Sequence, residues 1–445
     1  MNTRFRKGAL FIAVTAATPV LAQMPGAAAA KQGATIEATA GVEHTDNAFR
    51  NDLFKEDETK SYIDLGLGYS RAGDALAIQA MYNAELANYE NDTTEEDTVV
   101  QGASSITWRA LPNRLHFDVQ HERSEQIQDS RNPDIRNNRQ LRDIVSAGPT
   151  FIARLSPVDD LLLNARYSEV SYDDSGRIGL ARNFNSDSER VQGGLSWQHK
   201  LSETDLLSAT YQYSEAQFDA SPVEFQYHQL FGTYAVKLRN SGYTLSLGVN
   251  RSERDTGDEQ DGFYAQAGWN LDTGGHRLSL VAINQLTDSG IGLGGNSLTG
   301  SGYRPLDSNY DVVDLVERTS FNVGYGYDRL CERCSVDVGL GYDEQDFDTQ
   351  PRDQEQLSGS LSFGYSITPL LKASLSARYS EIEYAQGALG GRTDERSEYG
   401  LFLDWRVSRS LSARFWLSQD ERDSDAAFQE YDELYGGVSV KYAFR

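Results

Sequence analysis

The residues of this chain that could do chemistry are few and scattered. Cys331 and Cys334 stand in Leu330-Cys331-Glu332-Arg333-Cys334. In a reducing compartment this spacing suits a metal or redox centre, but a four-thiolate zinc site needs a second pair and the chain has 2 cysteines in all. No thioredoxin-like βαβ pattern surrounds them, and in an oxidising compartment a disulfide is the expectation. His44-Thr45-Asp46, and His116 with Asp118, have the residue types of an acid–base pair. Two-residue spacing along a strand merely puts both side chains on one face, and neither pair has a serine elbow or metal motif beside it. His121, His199, His228 and His276 form no ligand-spaced cluster. We therefore expect no enzyme, no cofactor and no resident metal. A barrel hydrolase stays as a distant alternative.

Carboxylates are abundant. They gather in polar stretches: Glu56-Asp57-Glu58, Asp92 with Glu95-Glu96-Asp97, Asp173-Asp174, Asp255 with Asp258-Glu259, and Asp420-Glu421-Arg422-Asp423. Hard cations want several converging oxygens, and no EF-hand spacing is present, so each run reads first as a solvated loop. The net charge of -25 argues against nucleic acid, which needs a basic patch.

The stretches between these polar segments alternate. Ile63, Leu65, Leu67 and Tyr69 face one way while Asp64, Gly66, Gly68 and Ser70 face the other; the pattern recurs at Tyr243, Leu245, Leu247 and Val249 and at Leu411, Ala413, Phe415 and Leu417. A two-residue period is the signature of a strand with one apolar face. The counts of Tyr 24 and Phe 18 against Pro 10 suit strands. Short turns such as Arg71-Ala72-Gly73-Asp74, Asp272-Thr273-Gly274-Gly275 and Ser408-Arg409-Ser410 alternate with longer polar connections, so the repeating unit is a hairpin. Nine hairpins plus a strand near Ile36–Val42 and the last strand predict about twenty strands, with 18 to 20 the working range. The Leu161-Leu162-Leu163 strand permits either register and could hold a bulge.

No apolar run beyond residue 30 approaches the ~18–20 residues of a spanning helix. Apolar middles with Tyr or Trp at their ends instead predict an all-β, transmembrane, antiparallel up-and-down β-barrel with lipid outside and aromatic girdles. The even strand count puts both termini at the short-turn end, expected to be periplasmic. Inward positions are small or polar, so a water-filled lumen is the default. The charges assigned to it are Asp64, Asp118, Asp337 and Asp404 against Arg166, Arg318, Arg378, Arg406 and Arg414, a mixture that cross-braces rather than selects. Gly290–Gly302 and Asn183–Ser188 are the loops expected to fold into the lumen if any does.

Arg4, Arg6 and Lys7, the apolar run Ala9–Val14 and the small-residue stretch ending at Ala22 compose a cleaved export signal, residues 1–22, with cleavage as late as 30; residues 31–445 then form one barrel domain. Losing those three cations lowers the charge from -25 to about -28. Val438, Val440, Tyr442 and Phe444 alternate at the other end and resemble the C-terminal assembly signal of bacterial outer-membrane proteins, with Phe444 penultimate before Arg445. That likeness implies the barrel-assembly machinery as a partner, beside outer-membrane lipid and lipopolysaccharide.

The first strand runs into Thr45-Asp46-Asn47-Ala48-Phe49, and the all-hairpin body follows. With these features the chain resembles the β-barrel porins found with exopolysaccharide and protein-sorting (PEP-CTERM-type) gene clusters in Gram-negative bacteria. The resemblance implies a passive pore in the outer membrane, for small hydrophilic solutes or as a polysaccharide-export conduit. The alternative is a structural or adhesive barrel whose lumen is closed by its loops.

Overall fold

The computed structural model describes residues 33–444 except 95–96, 128–130, 174–186, 220, 256, 258, 289–313, 350–351, 388–389 and 427–428. Residues 1–32, among them the expected export signal 1–22, lie outside the described residues, as do Arg445, Gly290–Gly302, positions 183–186 of the other candidate loop, Glu95, Glu96, Asp174 and Asp258.

Twenty strands follow one another: β1 Gly33–Thr45, β2 Glu58–Ala72, β3 Leu76–Tyr89, β4 Asp97–Leu111, β5 Leu115–Ile127, β6 Arg139–Arg154, β7 Asp159–Tyr172, β8 Ser188–Lys200, β9 Asp205–Phe218 and β10 Ser221–Lys237. They continue as β11 Ser241–Arg254, β12 Glu259–Thr273, β13 His276–Asp288, β14 Leu315–Cys331, β15 Cys334–Phe347, β16 Gln354–Thr368, β17 Leu371–Gly387, β18 Gly390–Arg406, β19 Leu411–Ser424 and β20 Tyr431–Phe444. Each pairs antiparallel with the next, and β20 pairs β1, with Ile36 opposite Phe444 and Thr45 opposite Tyr435. The sheet closes on itself and leaves no edge. The predicted fold is the observed one.

Local chemistry explains the turns. Thr273 pairs with His276, and Gly274 and Gly275 between them have φ of 59° and 91°, the double positive φ that a two-residue type I′ hairpin demands. Serine closes three others: Ser156 Oγ accepts from the Val158 and Asp159 amides, Ser202 Oγ from Thr204 and Asp205, and Ser408 Oγ from Ser410 and Leu411. Cys331 and Cys334 form the expected disulfide across the β14–β15 turn.

The polarity of the barrel is inverted relative to a soluble protein. Ile63, Leu67, Leu247, Leu340 and Leu401 stand exposed on the outer wall, whereas serines, glutamines and charged residues dominate the buried set. A contiguous apolar wall of this kind belongs in lipid. Among the described residues no helix is long and apolar enough to cross a membrane, which says nothing about strands.

The triple leucine resolves without a bulge in β7: Leu162 faces inward and the pairing with β8 runs unbroken. The irregularity lies one strand earlier. Pairing of β6 with β7 passes from Ala147↔Tyr167 to Thr150↔Asn164, skipping Gly148 and Pro149. Proline has no amide to donate, and a Cβ at Gly148 would fall 1.9 Å from the Ala165 carbonyl oxygen, so only glycine permits that approach.

Candidate functional site: the lumen and its mouth

Alternation carries every charge assigned to the lumen onto the inner face. At the short-turn end Arg414 donates to Asp404 at 2.6 Å, and Arg406 continues the same parity at the end of β18. Asp337 accepts from Arg277 at 2.9 Å, and Arg378 donates to Glu398 at 3.3 Å. Asp64 lies opposite Thr39 and Glu85. Asp118 accepts from Thr107 at 2.6 Å and has His116 3.4 Å away, both contacts along the inner wall. Arg318 is 1% exposed, with Nε 2.6 Å from Asp343. Arg414, Arg277, Arg378 and Arg318 thus pair with carboxylates one or two strands away and cross-brace the wall, whereas Asp64 faces the like charge of Glu85.

Between them the wall is smooth. Ser279, Gly324, Gly339, Ser360, Ser362 and Ser376 line a space of about 770 Å³ flanked by the Arg277–Asp337 and Arg378–Glu398 pairs. Small side chains stop short of the axis, so water and hydroxylated solutes can occupy this half of the lumen.

The opposite end is narrowed. Between β5 and β6, residues 131–138 lie inside the rim, and Arg131 reaches the inner face of β17–β19. The Arg131 carbonyl accepts from Arg392 Nη2 at 2.7 Å and from Arg422 Nη2 at 3.1 Å, while the Arg131 guanidinium lies 5.6 Å from the Tyr384 ring centre. Both arginines also grip Asp394, at 2.6 and 2.5 Å, and Ser424 donates to its other oxygen. Asn138, at the end of the short 3₁₀ turn Arg136–Asn138, donates to the Asn132 and Pro133 carbonyls and braces the segment from within.

A second charge cluster adjoins the first. Asp420 is 1% exposed and accepts from Arg396 at 2.9 and 2.6 Å, from Tyr431 at 3.3 Å and from Arg50 at 3.3 Å. Arg50 also donates to Glu433 at 2.8 Å and lies over the Tyr431 ring. Burial works against the Arg50 charge, but Glu433, Tyr431 and Asp420 outweigh it and raise the guanidinium pKa. At Asp134, burial opposes ionisation, yet the hydrogen bond and charge of Arg139, with Arg50 and Arg396 beyond, hold the carboxyl below its ordinary range. Thr45, Arg50, Lys60, Tyr89, Asp134 and Tyr435 line a chamber of about 220 Å³ beneath the crossing segment.

The Thr45-Asp46-Asn47 stretch seats the first long loop. Asn47, fully buried, donates to the Asp432 carbonyl at 2.9 Å and accepts from the Asn51 amide, and Asp46 accepts from the Leu434 amide at 2.8 Å. That staple to β20 carries Arg50 to Asp420.

A third element intrudes from the other side. β13 pairs with β12 only up to Asn284 but with β14 up to Asp288, so the top of the β13–β14 pair leaves the wall. Leu286 and Leu315 pack against Ala216, Phe218 and Phe225 on β9 and β10, an apolar cluster inside an otherwise polar barrel. Asn250 donates to the Leu286 carbonyl at 3.1 Å, and Arg254 ties Asp314 and Asp348 at 2.9 and 2.7 Å.

Sequence reading missed Arg50, Arg392, Arg396, Arg422, Asp394 and Asp420 as lumen groups. Carrying the inward parity of Asp404 back along β18 would have found Arg396, Asp394 and Arg392, but the apolar band that marks strands ends before them. Among the described residues no group of three or more His, Cys, Asp or Glu could hold a metal ion.

No family model matches the chain, and no curated protein does. Among solved structures, the siderophore receptor PirA from Acinetobacter baumannii aligns with 93% of this chain and 81% of its own, at TM-score 0.51 and 10% identity. OpdK from Pseudomonas aeruginosa, solved with vanillate, aligns with 92% of this chain and 99% of its own, at TM-score 0.41 and 12% identity. The FrpB iron transporter from Neisseria meningitidis aligns at TM-score 0.49 and 9% identity, over 93% and 82%. The likeness to PirA is one of fold: this chain has the closed antiparallel barrel of outer-membrane proteins. At such identities no substrate carries over.

Proposed function

We propose that the protein is an outer-membrane channel through which hydrophilic solutes pass passively, with its short-turn end in the periplasm and its outer mouth constricted by the segment around Arg131–Asn138. The observation that carries this is the inverted polarity of a closed twenty-stranded barrel, apolar outside and lined by hydroxyls, glycines and paired charges within. Balanced charge on the wall suits neutral, hydroxylated cargo, including a secreted polysaccharide, better than an ion of one sign. The export signal, the assembly machinery and contact with lipopolysaccharide belong to the same reading.

A structural barrel with a closed lumen is the second reading, and the clamp of Arg392 and Arg422 on the Arg131 carbonyl favours it. Single-channel recording of the refolded protein in a planar bilayer separates the two. Steady conductance reduced by added oligosaccharide is the expected result. Silent insertion of a barrel whose folding is verified by heat-modifiable gel mobility would refute the channel.

A further inference from the structure

The aromatic side chains of the inner wall are not spread evenly. Parity places Tyr62, Tyr89, Phe402, Trp416 and Tyr435 inside, on β2, β3, β18, β19 and β20, and each is half-buried. Among the described residues, the inward positions of β4–β9 and β13–β16 carry Phe, Tyr or Trp only at their mouth ends, at Tyr172, Phe218 and Phe347. The rings of β10 and β12 are closed off by packing: Phe225, Phe231 and Tyr264 are 1%, 3% and 1% exposed. One side of the lumen therefore presents open rings along its depth.

The register lines these rings up. Tyr89 lies opposite Lys60, Lys60 opposite Glu43, Glu43 opposite Gly437, Gly437 opposite Trp416 and Trp416 opposite Phe402, one row across six strands. At ~4.8 Å between strands the row is about 24 Å long, and because barrel strands tilt by ~35–45° it descends the wall obliquely. Its upper end, Tyr89, lines the mouth chamber together with Tyr435, and its lower end, Phe402, lines the wider space beside Arg378 and Glu398. Two of the rings lie down along the wall. A Cβ at Gly437 would fall 2.6 Å from Trp416 Cζ2, and one at Gly400 2.6 Å from Phe402 Cε2, so each ring covers a place where a side chain is missing and turns a face to the lumen. Polar groups stand between them. Lys60 Nζ is 2.7 Å from Glu85, 3.8 Å from Glu43 and 5.0 Å from the Tyr62 ring centre. Glu398 accepts from Tyr435 at 3.2 Å and from Arg378 at 3.3 Å. At the top of the row Arg50 Nη1 is buried with no hydrogen-bond partner among the described residues.

We propose that this row is a binding track for a chain of pyranose sugars, an inference that rests on the channel reading above. The faces of a glucose-type ring are lined by C–H groups, whose partial positive charge suits the negative face of an aromatic ring, while its rim of hydroxyls both donates and accepts. Rings that alternate with ion pairs meet both requirements, and the unpaired Arg50 Nη1 donates to a hydroxyl at the entrance. Charge decides against an aromatic acid. Such a solute would stack equally well, but its carboxylate needs a surplus of cations, and along the row Lys60 and Arg378 already face Glu43, Glu85 and Glu398. A row of this length engages several sugar units at once, so a chain is held more tightly than one sugar.

The test is block of the ionic current of the refolded full-length protein by maltohexaose and cellohexaose, with a polyethylene glycol of equal size as control. Binding of the same sugars to the barrel in detergent is measured beside it by calorimetry. The wild type binds a hexasaccharide more tightly than glucose, and the polyether does not block comparably. Trp416→Ala with Phe402→Ala weakens block and binding on the order of tenfold, as the loss of two stacking contacts requires, whereas Trp416→Phe with Phe402→Tyr stays within about threefold of the parent. Ser208→Ala, on the inner face of β9, changes neither. Heat-modifiable mobility verifies the folding of each variant. Equal affinity of the wild type and the double alanine variant, equal block by sugar and polyether, or no binding of either hexasaccharide overturns the track, and steady conductance in the same recordings then leaves the channel intact. Sugar binding by a barrel that conducts nothing refutes the channel and retains the track as a binding site.

Discussion

Arg392 donates through Nη2 to the main-chain carbonyl of Arg131 at 2.7 Å, joining β18 to a segment 261 positions earlier in the chain. With Arg422 on the same oxygen, that bond makes the mouth narrower than twenty strands would enclose, and it defines the most direct way to test the proposed channel.

Arg392→Ala with Arg422→Ala removes both donors, and charged donors contribute about 1.5–3 kcal/mol each. The crossing segment then moves off β18–β19. Larger unitary conductance and faster protease cleavage near residues 128–138 are the expected outcome, read in a bilayer and on a gel. Unchanged values for both would show that the segment does not limit the pore.

Acid should act on the same segment through Asp134. Its carboxyl is held below its ordinary range, so its contribution is full above the unfolded-state pKa of ~3.9 and is lost as pH falls through the lower, folded value. Conductance of the wild type rises, or becomes noisier, between pH 4 and the acid limit of the barrel, at values roughly one unit or more below neutral-side titrations of His. Asp134→Asn shows the low-pH behaviour already at pH 7, and a wild-type trace flat through this range would exclude Asp134 as a tie.

Two glycines offer a matched pair. A Cβ at Gly148 meets the Ala165 carbonyl oxygen at 1.9 Å and Arg166 Cα at 2.8 Å, whereas one at Gly193 meets nothing within 4 Å. Gly148→Ala is expected to lower stability by about 1–3 kcal/mol through overpacking, and Gly193→Ala to stay within about 0.5 kcal/mol of the parent. Urea midpoints by tryptophan fluorescence measure both, and equal midpoints would contradict the close approach of β6 and β7.

The Cys331–Cys334 disulfide closes a very short loop, for which chain entropy provides roughly 2 kcal/mol. Cys331→Ser with Cys334→Ser therefore leaves a folded barrel with a modestly lowered midpoint. Thiol labelling of the unreduced, exported protein should find neither cysteine; labelling of both would show that the pair is reduced in the cell.

The amino-acid order alone determined the strands, because each alternates an apolar outer face with a small or polar inner one over Ile63–Tyr69, Tyr243–Val249 or Leu411–Leu417, and alternation is a property of the local backbone. It also determined the short turns, through Gly274-Gly275 and the Ser-initiated reversals, and hence the antiparallel order and the even count. The inward placement of Asp64, Asp337, Asp404 and Arg414 followed from the same parity. The irregularity in β6 escaped, although Pro149 was its local sign, because the triple leucine in β7 drew attention to the wrong strand.

Only the tertiary structure decided which loop enters the mouth. Nothing near Arg131 differs in composition from the other polar connections, and its partners on β17–β19 lie more than 250 positions away. Closure of β20 on β1 brings those strands into reach of β5–β6, so a backbone carbonyl finds two guanidiniums that no local pattern could assign to it. On the outer wall, the contacts that run from Tyr82 through His121, Asp143 and Arg123 to Asp173 arose in the same way. These residues belong to β3, β5, β6 and the end of β7, and their meeting depends on the register between strands, a global property that closure of the barrel sets.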